Sequence, residues 1–297
     1  MMSLRPPAHI LSSNPTMTRR AALAMMGATA AALLTGCTPD RPDVVRDEVY
    51  ICLYDWDGLE RDGQKLRYAE DGAVVSHWGI DVSEHQRIID WRDVGQAGVE
   101  FAFLRIGHRG ATAGTLNLDK QFQANCRGTR LAAIPVSGYF FSQAITPTEA
   151  AEEAAFALEQ VRAAEAEGSA FQAIAYDHEA VHVEGARAND LTGEQLSQNA
   201  AAFCEVIEAA GYEPLIYGNQ RDLKRISYEV RQAYPVWLAE YDVAAPTAPL
   251  DFTIWQYTNA GDIPGIATAV DLNIWLPTKR GEEITLDEPG NIPWPPR

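Results

Sequence analysis

Two carboxylates, Asp177 and Glu179, come directly after an apolar run at residues 171–176. Side chains at positions i and i+2 of an extended chain point to the same side, so both carboxylates should project into one cleft. Such a pair suits hydrolysis of a glycosidic bond, because each negative charge raises the pKa of the neighbouring carboxyl group. The protonated carboxyl can protonate the leaving oxygen, while the ionised one stabilises the developing positive charge.

An isolated Asp-x-Glu pair is more often a solvated strand end than a catalytic site. Two further acids occupy comparable positions, since Asp81 follows an apolar run at 78–80 and Asp271 lies within the final run at 269–274. In a parallel barrel the active site lies at the carboxyl ends of the strands. All four acids are therefore expected to meet in one mouth.

The elements that would position these acids follow from the alternation of short apolar runs with Ala- and Glu-rich stretches, which is typical of α/β folds. Helix-start signals such as Thr146-Pro147 occur before residue 234 and become scarce after it. We therefore expect an irregular TIM-like (β/α) barrel with eight strands and helices mainly in the first five units. The eight runs are 78–82, 101–106, 134–141, 171–176, 214–217, 236–238, 252–255 and 269–274.

Motifs at successive runs resemble, in order, those of glycoside hydrolase family 25, the Chalaropsis-type lysozymes. They are GIDVSEHQ at 79–86, FAFLR at 101–105, YFF at 139–141, DHE at 177–179, YGN at 217–219, VWLAEY at 236–241, WQY at 255–257 and VDLN at 270–273. The sequence departs from the family pattern at Phe140, where histidine is usual, and at His178, where an apolar residue is common.

The resemblance implies a muramidase that cleaves the β-1,4 bond from N-acetylmuramic acid to N-acetylglucosamine in peptidoglycan, without a cofactor or metal. It makes Glu179 the general acid and Asp177 its partner, which either orients the substrate's 2-acetamido group or acts as nucleophile. Asp81 and Asp271 would complete the acidic cleft. Aromatic side chains at strand ends offer flat faces to sugars, and the residues expected to bind substrate are Tyr139, Tyr217, Trp237, Tyr241, Trp255 and Asn273. Tyr176 is a further candidate for the groove.

The first 36 residues have the layout of an export signal, with Arg19 and Arg20 before an apolar stretch and Leu-Thr-Gly before Cys37. The apolar stretch is too short to span a bilayer as a helix. The ending resembles a bacterial lipobox, which implies a lipid on Cys37. We therefore expect a signal peptide at 1–36, a tether with a small hairpin at 37–76, a barrel at 77–279 and a tail at 280–297.

The composition limits the kinds of partner that the protein can bind. Its 297 residues carry 24 Lys and Arg against 41 Asp and Glu, a formal charge of −17, which disfavours binding to nucleic acid. The expected partners are peptidoglycan glycan strands and, through the lipid anchor, a bacterial membrane. The expected state is an exported, envelope-located monomer.

Two other interpretations remain open from sequence. Residues 178–182 read His-Glu-Ala-Val-His and match the HExxH pattern of zinc peptidases, which requires a helix to place both histidines on one face. The third interpretation is a lysozyme-like barrel that binds glycan as an envelope lipoprotein without cleaving it.

Overall fold

A computed structural model describes residue 50 and residues 52–279. The strands are β1 (Leu59–Asp62), β2 (Lys65–Glu70), β3 (Ala73–Val74), β4 (His77–Val82), β5 (Phe101–Arg109), β6 (Leu116–Leu118), β7 (Val136–Ser142), β8 (Phe171–His178), β9 (Glu213–Asn219), β10 (Val236–Ala239), β11 (Ile254–Gly261) and β12 (Val270–Trp275). The helices are α1 (Trp91–Gln96), α2 (Phe122–Ala132), α3 (Pro147–Ala166), α4 (Gly193–Ala209), α5 (Gln220–Leu223) and α6 (Tyr228–Ala233).

Three predictions fall outside these residues: the signal peptide at 1–36, the lipid site at Cys37 and the tail at 280–297. Within the described part of the chain, no helix is both long enough and apolar enough to cross a membrane.

Eight strands close into a barrel in the order β4, β5, β7, β8, β9, β10, β11 and β12, with β12 pairing back to β4. The pairings from β4 round to β11 are parallel, whereas β12 runs antiparallel to both of its neighbours. Each predicted apolar run overlaps one barrel strand, and the described α-helices all lie between β4 and β10. The predicted irregular TIM-like barrel is therefore confirmed.

Local sequence explains where the longest helices begin. The Thr146 hydroxyl caps α3 by accepting a hydrogen bond from the Glu149 backbone, and Pro147 occupies the first turn. A capping box between Thr192 and Gln195 starts α4. Both helices bury small alanines, which lets them pack closely against each other and the outer face of the sheet.

The barrel interior is filled by aromatic side chains below its mouth. The rings of Phe103 and Trp237 lie 4.3 Å apart, and Phe101 meets Trp275 edge-on at 5.5 Å. Gly79 leaves space for the Phe101 ring, because a Cβ at this position would lie 2.6 Å from it. This packed floor confines any ligand to the upper end of the barrel.

A three-stranded antiparallel sheet, β1–β2–β3, covers outer barrel surface where helices are missing. Tyr54, Leu66 and Tyr68 are at most 5% exposed and join the same hydrophobic cluster as Trp78 and Trp255. The small hairpin expected in this stretch is present as β1–β2, but the described part of the stretch is a layer packed on the barrel and not a loose tether. The difference arises because a few aromatic residues suffice to fill the surface beside β4 and β11.

We predict that Leu66→Ala lowers the free energy of unfolding by about 2–5 kcal/mol, since the side chain is fully buried against the barrel. The matched control is Val74→Ala on β3, where the side chain is 55% exposed and the expected change is within about 0.5 kcal/mol. Urea unfolding measures both. Equal stability of the Leu66 variant and the wild type would show that the sheet is only a tether.

Candidate active site

All four predicted acids line one cavity of about 310 Å³ at the mouth of the barrel. Asp81 and Asp177 lie near the carboxyl ends of β4 and β8, and Glu179 follows β8 directly. Asp271 reaches the same place from the beginning of β12, because that strand is antiparallel and pairs Asp271 directly with Asp81. Of the predicted sugar-binding residues, the cavity lining includes Tyr139, Tyr217, Trp237 and Tyr241.

Asp81 is held by two side-chain amides. Its Oδ2 accepts hydrogen bonds from Gln256 Nε2 at 2.7 Å and from Asn273 Nδ2 at 2.8 Å. Burial raises the pKa of Asp81 to about 6, and the two amide donors limit that rise because they stabilise the carboxylate. The side chain of Asp81 is thereby fixed in one orientation toward the cavity.

Both amides are themselves oriented by aromatic residues. The hydroxyls of Tyr217 and Tyr241 donate to Gln256 Oε1 at 2.8 and 2.5 Å, which leaves the Gln256 nitrogen to face Asp81. Trp237 Nε1 donates to Asn273 Oδ1 at 2.8 Å and fixes that amide in the same way. The aromatic side chains of the mouth therefore also orient its polar groups.

Asp177 and Glu179 influence each other's ionisation. Burial, followed by the charges of Glu179 and Asp81, raises the pKa of Asp177 well above its ordinary value. Burial, followed by the charges of Asp222 and Asp81, raises the pKa of Glu179, and a hydrogen bond with Asp177 opposes that rise. This pattern is that of two carboxyl groups sharing a proton, which they retain at a pH where isolated carboxyls are ionised.

Exposure distinguishes the two carboxyls. Asp177 is only 3% exposed, and its Oδ1 has no hydrogen-bond partner in the described structure. Glu179 is half-buried and lies on the loop after β8. Gln143 Nε2 donates to the Glu179 carbonyl at 2.9 Å, which ties this loop to the end of β7. Both carboxyls line the cavity, and Glu179 is the more exposed of the two.

Arg105 supplies positive charge to the mouth, and sequence reasoning assigned it no role. Its Nε donates to Asp119 Oδ2 at 2.7 Å and its Nη2 to Glu84 Oε1 at 3.0 Å, which fixes the guanidinium. The charge of Arg105 partly offsets the rise in the pKa of Asp177. The available signal was a single arginine ending the apolar run 101–104. Gln256 was missed as well, although it stands inside the quoted WQY motif.

Three sequence predictions for the groove are corrected. Trp255 is fully buried on the outer face of β11, where it contacts Trp56 and its Nε1 donates to the Glu240 carbonyl. Tyr176 is also fully buried and packs on Phe203 of α4. Side chains alternate along a strand, so both face away from the mouth that Gln256 and Asp177 enter.

Asn273, the third correction, does not line the cavity. It is fully buried beneath it and acts through Asp81 and Trp237.

The zinc-peptidase interpretation fails on local structure. His178 ends β8 and is buried, whereas His182 lies exposed in a non-helical loop. The two histidines therefore do not share a helical face, which the HExxH site requires.

Comparison with known proteins identifies the family. The model of Glycosyl hydrolases family 25 matches residues 80–266, more than half of the chain and nearly the whole barrel. The chain belongs to this family. The resemblance to glycoside hydrolase family 25 that the motifs indicated is thereby confirmed.

Individual family 25 relatives are distant. The chain is 24% identical over 200 residues to the autolytic lysozyme of Clostridium acetobutylicum, a match that spans 66% of this chain and 54% of that protein. It is 27% identical over 202 residues to lysozyme M1 of Streptomyces globisporus, spanning 66% of each. The chain thus spans less than two thirds of the length of either lysozyme.

A solved structure with the same fold is the modular autolysin LytC from Streptococcus pneumoniae, in complex with a synthetic peptidoglycan ligand. Its TM-score is 0.61 at 22% identity, over 73% of this chain and 52% of LytC. At this identity the likeness shows a shared fold.

The crowded acids predict how stability of this family 25 barrel depends on pH. Burial and the charges of Asp81 and Glu179 raise the pKa of Asp271 to about 8. A carboxyl whose pKa rises on folding favours the folded state at low pH, and this contribution is lost as the pH rises through about 8. Asp271→Asn should therefore raise the free energy of unfolding at pH 8 by at least about 1.4 kcal/mol, one pKa unit, and change it little at pH 3, below the ordinary aspartate pKa of 3.8.

Urea unfolding at both pH values measures this difference. The control is Asp57→Asn on an exposed turn, which should leave stability unchanged within about 0.5 kcal/mol at both values. A destabilised Asp271 variant at pH 8 would contradict the electrostatic interpretation.

Proposed function

We propose that the protein is a muramidase that hydrolyses the β-1,4 bond between N-acetylmuramic acid and N-acetylglucosamine in peptidoglycan. The observation that carries the proposal is the Asp177–Glu179 pair at the mouth of a family 25 barrel. Support also comes from the two lysozymes that match this chain and from the peptidoglycan ligand of LytC.

Glu179 is the general acid in this proposal. It is the more exposed member of the pair, and its raised pKa keeps a proton available for the glycosidic oxygen. When the proton leaves, the pair becomes ionised as positive charge develops on the sugar ring. Asp177 then stabilises that charge, either through the substrate's 2-acetamido group or by direct attack. The ionised Glu179 finally accepts a proton from the water that completes hydrolysis.

The remaining groups of the mouth bind the sugars or shift the pKa of the acid pair. Asp81 adds negative charge that holds the proton on the pair and stabilises a cationic transition state. Asp271 lies beside Asp81 in the same cavity lining. Tyr139 and Tyr217, which are half-buried, offer ring faces to sugars, as aromatic residues do in glycan sites, and Trp237 forms the floor beneath them. Activity should fall as the pH rises through the raised pKa of the pair, because the general acid is then ionised.

We predict that Glu179→Gln lowers kcat by about 100-fold or more while preserving the fold, because glutamine cannot donate the proton. His182→Ala is the matched control, since this exposed loop residue has no role in a muramidase and would be a ligand in a zinc peptidase. Rates of reducing-end release from purified peptidoglycan measure both variants. Wild-type rates for the glutamine variant would contradict the assignment, and loss of activity in the alanine variant would favour the peptidase.

The non-catalytic alternative makes a different prediction for the same assay. A glycan-binding lipoprotein would release no reducing ends as wild type but would still sediment with peptidoglycan. The raised pKa values of Asp177 and Glu179 favour the enzyme, because binding a neutral sugar does not need a retained proton.

We also propose that the protein is exported and tethered by a lipid on Cys37. Enzymes that lyse the cell wall act outside the cytoplasm, which fits this export. The Tyr50 hydroxyl donates to the Leu250 carbonyl, and the Tyr54 hydroxyl donates to the Phe252 carbonyl. Both carbonyls precede β11, at the end of the barrel opposite the mouth.

Replacing the lipid acceptor tests the tether. Cys37→Ser should move the protein from the membrane fraction to the soluble envelope fraction of its host, because a serine cannot carry the thioether-linked lipid. Cys52→Ser, which alters a cysteine of the folded unit, is the control and should leave the protein in the membrane fraction. Membrane association of the Cys37 variant would contradict the anchor.

A further inference from the structure

A second cavity lies beside the mouth, on the outer side of β11. It has a volume of about 360 Å³ and is lined by Arg61 and Gln64 of the β1–β2 hairpin, Asp242 after β10, and Tyr257 on β11. The family match begins at residue 80, so Arg61 and Gln64 lie outside it. This cavity is therefore built partly from the small sheet that the chain adds to the family 25 barrel.

Hydrogen bonds fix the walls of this second cavity. The Gln64 side-chain amide accepts from the Asp262 backbone nitrogen at 3.0 Å and donates to the Asp262 carbonyl. The Tyr257 hydroxyl donates to the Gln64 carbonyl at 2.7 Å and accepts from Trp78 Nε1 at 2.6 Å. These hydrogen bonds hold the turn of the hairpin against β11 and the residue that follows it. The walls of the cavity are therefore already in place before a ligand binds.

Two opposite charges face this cavity. The Arg61 guanidinium lies 5.9 Å from the centroid of the Tyr257 ring, and the Arg61 side chain is exposed. Asp242 is exposed as well and has a positive φ of 59°. Within the described part of the chain, neither residue forms an ion pair. An unpaired guanidinium beside an unpaired carboxylate suits a ligand that carries both a carboxylate and an ammonium group.

The second cavity and the catalytic mouth are separated by the thickness of one strand. Tyr241 lines the mouth and Asp242 the second cavity, and on β11 Gln256 faces the mouth while Tyr257 faces outward. Peptidoglycan carries a short peptide on the lactyl group of each muramic acid. Such a peptide extends about 3.3–3.6 Å per residue, enough to pass over the rim from a sugar bound in the mouth.

We propose that the second cavity binds the peptide stem of peptidoglycan, with Arg61 pairing with a peptide carboxylate and Asp242 with an amino group. This inference rests on the proposed function for the choice of ligand. The inference narrows the proposed substrate to glycan that still bears its peptides, in preference to glycan from which the peptides have been removed.

The direct test is binding of the free tetrapeptide L-Ala-γ-D-Glu-meso-diaminopimelate-D-Ala, followed by calorimetry or NMR shifts on the full chain. Arg61→Gln should weaken binding at least about tenfold, the loss typical of one charged hydrogen bond. The control is Arg67→Gln, because Arg67 pairs with Glu60 in the register and lies on the other face of the same sheet. This variant should bind like the wild type.

Absence of tetrapeptide binding by the wild type, or equal binding by all three proteins, would overturn the proposal. The assay needs no turnover, so its outcome is independent of whether the protein cleaves glycan. A second readout compares cleavage of peptide-bearing glycan with glycan stripped by an amidase. Arg61→Gln should raise KM about tenfold on the first substrate only, with kcat unchanged. An equal change on both substrates would contradict a peptide site.

Discussion

The rest of the structure depends on the free-energy cost of burying several carboxyl groups in one small cavity. Asp81, Asp177, Glu179 and Asp271 line the same mouth, and burial raises the pKa of each. Oriented amides stabilise one of these carboxylates, and Arg105 partly offsets the charge near Asp177. The protein therefore gives up stability at neutral pH and gains carboxyl groups that retain a proton, which acid catalysis requires.

The cavity with its four carboxyl groups needs rigid surroundings. Two kinds of layer around the barrel provide them. Helices α1 to α6 lie along the connections between β4 and β10, while the β1–β2–β3 sheet covers outer surface beside β4 and β11. The antiparallel β12 closes the barrel and carries both Asp271 and Asn273. The added sheet also builds one wall of the cavity next to the mouth, where we propose that the peptide stem binds.

Sequence patterns were sufficient to predict the barrel and the four acids of its mouth. Both depend on local alternation of apolar and polar residues and on position at strand ends. The direction of β12 could not be read from the sequence, and the same run would suit a parallel strand. Trp255 was misplaced because an aromatic strand does not reveal which phase of its alternation faces inward. The roles of Arg105 and Gln256 and the packing of the β1–β3 sheet on the barrel were missed because they depend on partners distant in the chain, such as Asp119 for Arg105 and Asp81 for Gln256.

The measurement that tests the muramidase assignment most directly is mass spectrometry of the sugars released from purified peptidoglycan by residues 38–297 in the presence of EDTA. The assignment predicts fragments with new N-acetylmuramic acid at their reducing ends, with every peptide bond intact. New N-acetylglucosamine reducing ends, peptide cleavage, or no cleavage would each contradict it.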